Sequence, residues 1–372
     1  MALTAAEKTG YMKAALRLAR KGLGLVSPNP MVGAILVRGG KIIGNGYHRF
    51  YGGPHAEVYA LEAAREKARG SDLYINLEPC SHFGKTPPCV DALIAAGIRR
   101  AFIGMQDPNP LVAGSGIKKL RAAGIAVETG MLEQECRQLN EAFIKYITRK
   151  NPFVYLKLAA TLDGKIATAE GDSKWITCDA SRALVHRLRS EVDAVMVGIG
   201  TVIKDDPLLT ARLKTGAGEN PLRVIVDSRL RMPPGSKLLK TARAVPTIIA
   251  TTDNSALSRQ AALKKIGVEI LTTTARKGRV DLGQLMKKLG KRGVSTVLIE
   301  GGSELSAAAL QAGIVDKVLF FYAPKITGGT HAPAMVGGAG INKISAAIRV
   351  RDIRYKRVGD DILVEGYISN KY

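Results

Sequence analysis

His55, Glu57, Cys80 and Cys89 are the residues of this chain best equipped for chemistry. One imidazole and two thiols supply three ligands for a tetrahedral zinc and leave the fourth position open to water, as in a catalytic rather than a structural centre. Glu57, two residues past the histidine, offers the acid/base group such a water needs. A closed structural site would recruit His82 as its fourth ligand and would leave Glu57 without a purpose. A second candidate lies far downstream, where Val297-Leu-Ile-Glu-Gly-Gly-Ser-Glu-Leu305 reads as a strand turning through two glycines into a helix. Glycines let backbone approach a ligand closely, and the unpaired amides of a helix start cradle phosphate. Many proteins share such a turn, so alone it assigns nothing. No G-x-G-x-x-G follows a strand in that half, which removes support for a Rossmann fingerprint.

The elements that must position these groups can be read from apolar spacing and turn residues. Residues 11–21 form a helix (Met12, Leu16, Ala19 on one face), and Ser27-Pro28-Asn29-Pro30 is an extended loop because its prolines forbid helix. Val32–Val37 and Lys41–Tyr47 are strands joined by Gly39-Gly40. Pro54 opens a helix over His55–Arg69, which sets His55 and Glu57 in its first turn. Cys80 follows the strand Leu73–Leu77, and Cys89 starts the helix Pro88–Ala96. The ligands therefore lie at or near helix N-termini, where the dipole favours thiolates. A strand (Arg100–Gly104), a helix (Ile117–Ala123), a strand (Ile125–Thr129) and a closing helix (Glu133–Ile147) complete a three-layer α/β domain. Thr148-Arg-Lys-Asn-Pro152 breaks the pattern and divides the chain into domains 1–150 and 151–372. The second is also α/β, with strands at Phe153–Ala159, Ala194–Gly198, Arg223–Val226, Thr247–Thr251, Glu269–Leu271, Thr296–Glu300 and Lys317–Tyr322.

A length of 372 residues suits two domains, and 46% apolar content is that of an ordinary soluble protein. No apolar run reaches the ~18 residues of a membrane span, and Met1–Arg20 reads as an amphipathic helix rather than a signal peptide. With two cysteines given to a metal, Cys136 and Cys178 are expected as free thiols in a reducing cytoplasm. The formal charge of +23 is spread over both halves and would attract phosphorylated small molecules. Its clusters, such as Lys118-Lys119 and Lys287-Lys288, lack the stacking aromatics of single-strand binders, so no nucleic-acid or membrane partner is expected.

Ser27-Pro-Asn-Pro30, His55-Ala-Glu-Val58 and Leu77-Glu-Pro-Cys-Ser-His-Phe-Gly-Lys-Thr-Pro-Pro-Cys89 resemble the bifunctional riboflavin biosynthesis deaminase/reductases. These are a branch of the zinc deaminases, whose signature is H-x-E followed by P-C-x-x-C. Here residues 81–88 separate the cysteines, a long loop specific to that branch. The resemblance implies a cytidine-deaminase-like fold, one zinc per chain, and removal of the 2-amino group from 2,5-diamino-6-ribosylamino-4(3H)-pyrimidinone 5′-phosphate. It assigns Asn29 to the pyrimidine, Lys85 to the phosphate, and Asp107 and Asn109 to the ribose or ring. His48 is a further candidate for substrate contact, from its nearness in sequence.

Downstream, Lys157-Leu-Ala-Ala-Thr-Leu-Asp-Gly-Lys165, Gly171-Asp-Ser-Lys-Trp-Ile-Thr177, Gly200-Thr-Val-Ile-Lys-Asp-Asp-Pro-Leu-Leu-Thr210 and Asp227-Ser-Arg229 resemble the reductase half of the same family. That implies a dihydrofolate-reductase-like α/β fold, NADPH, and reduction of the ribosyl group to ribityl by hydride delivery to C1′, giving 5-amino-6-(5-phosphoribitylamino)uracil. By the resemblance Ala159, Trp175, Thr201, Asp205 and Ser228 bind the cofactor, with the turn Gly302, Ser303, Glu304, Leu305, Ser306, Ala307 and Ala308. Ser173, Arg189, Leu209, Arg212 and Glu300 hold substrate, and Lys157 and Asp206 are further polar candidates near the ribose. Guanidinium groups suit a 5′-phosphate because they bind it bidentately. The family also implies a homo-oligomer. Two rivals share the same H-x-E core and charge: a nucleic-acid editing deaminase, which gives residues 151–372 no role, and a basic scaffold in which zinc only stabilises the fold.

Overall fold

A computed structural model of the chain describes residues 3–82, 88–110, 112–213 and 218–368. It divides into two compact units, Met1–Lys150 and Asn151–Tyr372. In the first unit the elements are α1 (Ala5–Ala19), β1 (Gly33–Arg38), β2 (Lys41–Tyr47), α2 (Ala56–Ala64), β3 (Asp72–Leu77), α3 (Cys89–Ala95), β4 (Arg100–Met105), α4 (Ser115–Ala122), β5 (Ala126–Thr129), α5 (Glu133–Leu139) and α6 (Glu141–Arg149). Thr4 and Glu7 close a capping box that starts α1. Among the described residues the strands form one sheet in the order β2-β1-β3-β4-β5, antiparallel through β3 and parallel beyond it. Every position of β3 is buried, as a central strand covered on both faces requires. One apolar cluster packs α2, α3 and α4 on one face, and another packs α1, α5 and α6 on the other.

Gly44 and Gly46 let α2 lie directly on β2. A Cβ at Gly44 would stand 2.3 Å from the Ala60 carbonyl oxygen, and one at Gly46 would stand 2.4 Å from that of Ala56. The expected helix over His55–Arg69 is α2 followed by a 3₁₀ turn at Arg65–Ala68. The single helix expected over Glu133–Ile147 is two, α5 and α6, parted at Asn140 (φ −106°, ψ 21°). The buried Asn140 amide accepts from the Met31 N–H at 2.8 Å and donates to the Met31 carbonyl at 3.0 Å, bonds to a residue 109 positions earlier that local periodicity does not report.

The second unit contains β6 (Phe153–Thr161), α7 (Asp179–Glu191), β7 (Ala194–Gly198), α8 (Ile199–Asp205), β8 (Leu222–Val226), α9 (Lys237–Lys240), β9 (Thr247–Thr252), α10 (Leu257–Ile266), β10 (Glu269–Thr273), β11 (Ala275–Arg276), β12 (Arg279–Val280), α11 (Leu282–Lys291), β13 (Thr296–Glu300), α12 (Ser303–Gln311), β14 (Lys317–Ala323), β15 (Val350–Val358) and β16 (Asp361–Ile368). Among the described residues, nine strands form a sheet ordered β10-β9-β8-β7-β13-β6-β14-β16-β15. It is parallel from β10 to β14, and β16 and β15 extend it antiparallel. Two apolar clusters fill its faces. Sequence spacing missed β15 and β16, because β15 is exposed along nearly its whole length and carries no buried alternation. The β11–β12 ribbon was also missed.

A candidate zinc deaminase site and a candidate reductase site

His55 is the residue before α2, with extended backbone (φ −78°, ψ 166°), and Glu57 lies in the first turn of that helix. Cys80 follows β3 and Cys89 opens α3. The Cys89 amide donates to Cys80 Sγ at 3.3 Å, and the Val90 amide donates to the Cys80 carbonyl at 3.1 Å, so the loop between the cysteines is closed by its own ends. His55 Nδ1 stands 3.2 Å from Cys89 Sγ and 3.5 Å from Cys80 Sγ. The three ligand atoms lie within 4.8 Å of one another, and among the described residues they are the group of this kind. His82 is exposed and outside it.

Glu57 is buried, and its Oε2 has no hydrogen-bond partner. Burial pushes its carboxyl up to about 7, against the pull of His55. A bare oxygen beside one imidazole and two sulfurs is a costly arrangement unless something binds there. The donor set fits a zinc with one open position. The Cys80 thiol is held well below its ordinary value by Cys89, through both S–H and N–H, and by His55, while sharing that proton and burial pushes Cys89 up.

His55, Glu57 and Cys80 line a cavity of about 340 Å3 together with Asn29, His48, Asp107 and Asn109. Asn29 Nδ2 lies 3.2 Å from His48 Nε2, and His48 Nδ1 lies 3.0 Å from the Pro54 carbonyl. A carbonyl can only accept, so Nδ1 carries the proton and Nε2 accepts from Asn29. Burial keeps His48 below its usual value, hence neutral. Asp107 Oδ1 accepts from the Asn109 N–H at 2.8 Å, and burial raises its carboxyl. Lys85 lies outside the described residues. Sequence reasoning missed Glu78, Tyr51, Phe143 and Ile147 in the lining; the i, i+4 spacing of the last two was the available signal.

In the second unit, Glu300 ends β13 and pairs in register with Lys157 on β6. Arg189 of α7 grips Glu300 with both ends of its guanidinium, Nε to Oε1 at 2.6 Å and Nη2 to Oε2 at 2.9 Å. Burial alone would raise Glu300, but Arg189 and Lys157 hold it below its ordinary value; burial pushes Lys157 down. Arg189 Nη1 and His186 Nδ1 both donate to the Thr210 carbonyl, and Arg212 donates to His186 Nε2 at 3.1 Å. Lys157, Arg189, Glu300 and Arg212 are thereby connected, through a histidine to which sequence gave no chemistry. Leu209 is buried with positive φ (55°) beside them in sequence.

The turn Gly301-Gly302 has positive φ at both residues and leads into α12, whose first amides lack a side-chain cap. A Cβ on Gly302 would lie 3.3 Å from Thr201 Oγ1, so glycine lets the turn approach the start of α8. This open helix N-terminus fits a phosphate of a dinucleotide. Leu305, Ser306 and Ala307 are buried, and Ala308 is half-buried, so this segment offers backbone rather than side chains. Ser303 Oγ donates to the Ala334 carbonyl, and Glu304 is exposed and paired with Arg279. Ser228 Oγ accepts from the Val280 N–H. Trp175 is 64% exposed, with the Arg182 guanidinium 4.7 Å above its ring and Lys325 on its carbonyl. Ala159, Ser173 and Asp205 are half-buried. Asp206 is turned to α9, accepting from the Lys237 N–H at 2.8 Å.

Residues 152–364 match the family model described as RibD C-terminal domain, and residues 6–105 match the cytidine and deoxycytidylate deaminase zinc-binding region. The riboflavin biosynthesis protein RibD of Actinobacillus pleuropneumoniae is 44% identical over 95% of this chain and 94% of that protein. That of Aquifex aeolicus is 46% identical, over 95% and 96% respectively. Among solved structures, Acinetobacter baumannii RibD superposes with a TM-score of 0.88 at 36% identity, covering 98% of this chain and 99% of that one. The diaminohydroxyphosphoribosylaminopyrimidine deaminase/5-amino-6-(5-phosphoribosylamino)uracil reductase of Thermotoga maritima gives 0.84 at 40% identity, with the same coverage.

Proposed function

The chain belongs to the RibD family of riboflavin biosynthesis proteins, and from that premise we propose how its own residues share the two reactions. It is a bifunctional enzyme: a zinc-dependent deaminase and an NADPH-dependent reductase acting on a small phosphorylated pyrimidine. Residues 1–150 carry the deamination and residues 151–372 the reduction.

His55, Cys80 and Cys89 hold the zinc, which when bound supplies a Lewis acid that makes water acidic enough to attack at neutral pH. Glu57 Oε2 takes one proton of the attacking water to a ring nitrogen, then takes the second from the added hydroxyl to the amino group, which departs as ammonia. A carboxyl raised to about 7 by burial is poised both to accept and to return that proton. Asn29, His48, Asp107 and Asn109 seat the ring and ribose, and Lys85 takes the phosphate. The carrying observation is the unpartnered Glu57 Oε2, buried beside three convergent ligands in a cavity of nucleotide size.

In the reductase, NADPH supplies the hydride. The turn from Gly302 to Ala308 would receive its diphosphate at the free first-turn amides of α12, and Ala159, Trp175, Thr201, Asp205 and Ser228 are its further binding residues. Ser228-Arg229 suits a 2′-phosphate. Ser173, Leu209, Arg212, Arg189, Lys157, Asp206 and Glu300 hold the substrate, with Arg212 open to the phosphate. The Arg189 and Glu300 side chains are only 13% and 10% exposed, so the substrate they hold would be shielded from water on that side. No helix among the described residues is long and apolar enough to cross a membrane. We assign the enzyme to the cytoplasm as a homo-oligomer without nucleic-acid or membrane partners.

The test is a coupled assay with purified protein, the diamino ribosylaminopyrimidine phosphate and NADPH. Ammonia release followed by NADPH oxidation is expected. Glu57→Gln abolishes the first, losing at least about 100-fold, and leaves reduction of supplied deaminated substrate intact. Ammonia release at the wild-type rate in that variant would overturn the role of Glu57. Steeply salt-dependent nucleic-acid binding without turnover would revive the editing rival.

A further inference from the structure

Glu78 sits between the last residue of β3 and the zinc-ligand turn at Pro79-Cys80, buried to 5% exposure, and makes no ion pair among the described residues. Its charge is met by backbone instead. Oε2 accepts from the Asp107 N–H at 3.0 Å and the Gly114 N–H at 3.0 Å. Oε1 accepts from the Gly116 N–H at 2.9 Å and the Ile117 N–H at 3.1 Å. Gly114 precedes α4 in a left-handed conformation and provides no side-chain cap, so the Glu78 carboxylate caps that helix from another element.

The four bonds close a ring that holds substrate-facing residues. Glu78 fixes the Asp107 amide, Asp107 Oδ1 accepts from the Asn109 amide, and the Asn109 carbonyl accepts from the Val112 and Ala113 amides just before Gly114. Asp107 and Asn109 thus hang from Glu78 at both ends of the turn that carries them. Close packing seals the joint: a Cβ at Gly116 would lie 2.2 Å from the Pro79 carbonyl oxygen, and Ser81 Oγ meets Ser115 Oγ at 2.6 Å. With two donors on each oxygen, Glu78 has little left to offer a ligand, although it lines the same cavity as Glu57.

We propose that Glu78 is a positioning residue of the deaminase, tying the turn that bears Asp107 and Asn109 to the turn that bears the zinc ligand Cys80, so that the substrate contacts are set relative to the metal by one carboxylate. The proposal rests on the reading of Asp107 and Asn109 as substrate contacts. Gln at this position presents an NH2 group to amides that can only donate, so one pair of bonds is lost while the side-chain shape is kept. The substrate-side turn then loosens, while Cys80 remains anchored by the Cys89 and Val90 amides.

The experiment measures deaminase KM and kcat, zinc per chain, and reductase turnover of supplied deaminated substrate for Glu78→Gln, Gly116→Ala, Asp107→Asn and Asn109→Ala. Glu78→Gln is expected to raise KM about tenfold or more, as loss of an orienting partner does, with a smaller fall in kcat, full zinc content and unchanged reduction. Gly116→Ala strikes the same joint from the α4 side and should give the same signature, which decides the matter if the Gln variant does not fold. An unchanged KM in folded, zinc-loaded Glu78→Gln, while Asp107→Asn raises KM, overturns the proposal alone. If neither Asp107→Asn nor Asn109→Ala alters KM, the reading of those residues fails instead. Loss of zinc from Glu78→Gln would also overturn it, by placing the effect on Cys80.

Discussion

Replacing Glu300 with Gln weighs the ion cluster at the centre of the reductase unit. The Arg189 and Glu300 side chains are only 13% and 10% exposed, and Lys157 faces Glu300 across the parallel register. Gln keeps the volume but leaves two cations in a water-poor site with no anion between them. Breaking a buried pair from one side costs about 3–5 kcal/mol, because the surviving charge is left uncompensated. Such low exposure calls for no large discount for solvent screening. For a unit of this size that corresponds to a Tm lowered by roughly 6–20 °C. Trp175 is the sole tryptophan, so its emission follows residues 151–372 without interference from the other unit. The pH dependence supplies an independent check. Glu300 is held below its ordinary value in the folded chain, so its stabilisation is complete above the unfolded carboxyl pKa of about 4.3 and is lost as pH falls through the lower folded value. The variant should lack that acid-side loss. A Tm within about 2 °C of the parent, under 1 kcal/mol on this scale, together with an identical acid limb, would refute the charge-balance reasoning.

Three further outcomes follow from the packing. Stripping zinc with a chelator should lower the transition of the first unit, since His55, Cys80 and Cys89 tie three separate segments together, and should leave the Trp175-monitored transition in place; differential scanning calorimetry distinguishes them. Gly46→Ala drives a Cβ to within 2.4 Å of the Ala56 carbonyl oxygen and 2.5 Å of Tyr59, lifting α2 and its Glu57 off the sheet. It should cost about 1–3 kcal/mol and slow ammonia release while sparing reduction. Arg223 is fully buried on β8, and its guanidinium donates to the Leu208, Leu238 and Val245 carbonyls and to Thr241 and Thr247. Arg223→Met strands those acceptors and should cost about 3 kcal/mol in urea unfolding followed by Trp175; no change would mean that water or rotated threonines replace it.

Much of this protein is legible along the chain because its chemistry is local. A histidine and a glutamate two apart need only a helix start, and proline before His55 supplies one. The continuous apolar runs of β1, β7 and β13 announce buried strands because both of their faces are covered. Tertiary structure alone decided the rest. The order of the nine strands, with β13 between β7 and β6, sets Glu300 beside Lys157, and residues 143 apart in sequence carry no mutual periodicity. Asn140 looks like mid-helix polarity until its amide is found on Met31, and β15 looks like loop because exposure erases alternation. Glu78 reads only as a neighbour of Cys80, and its task appears when four amides from Asp107 to Ile117 converge on it. Sequence spacing records what a residue's own helix or strand demands; a buried polar group is satisfied by whichever backbone the fold brings to it, and that choice is made in three dimensions.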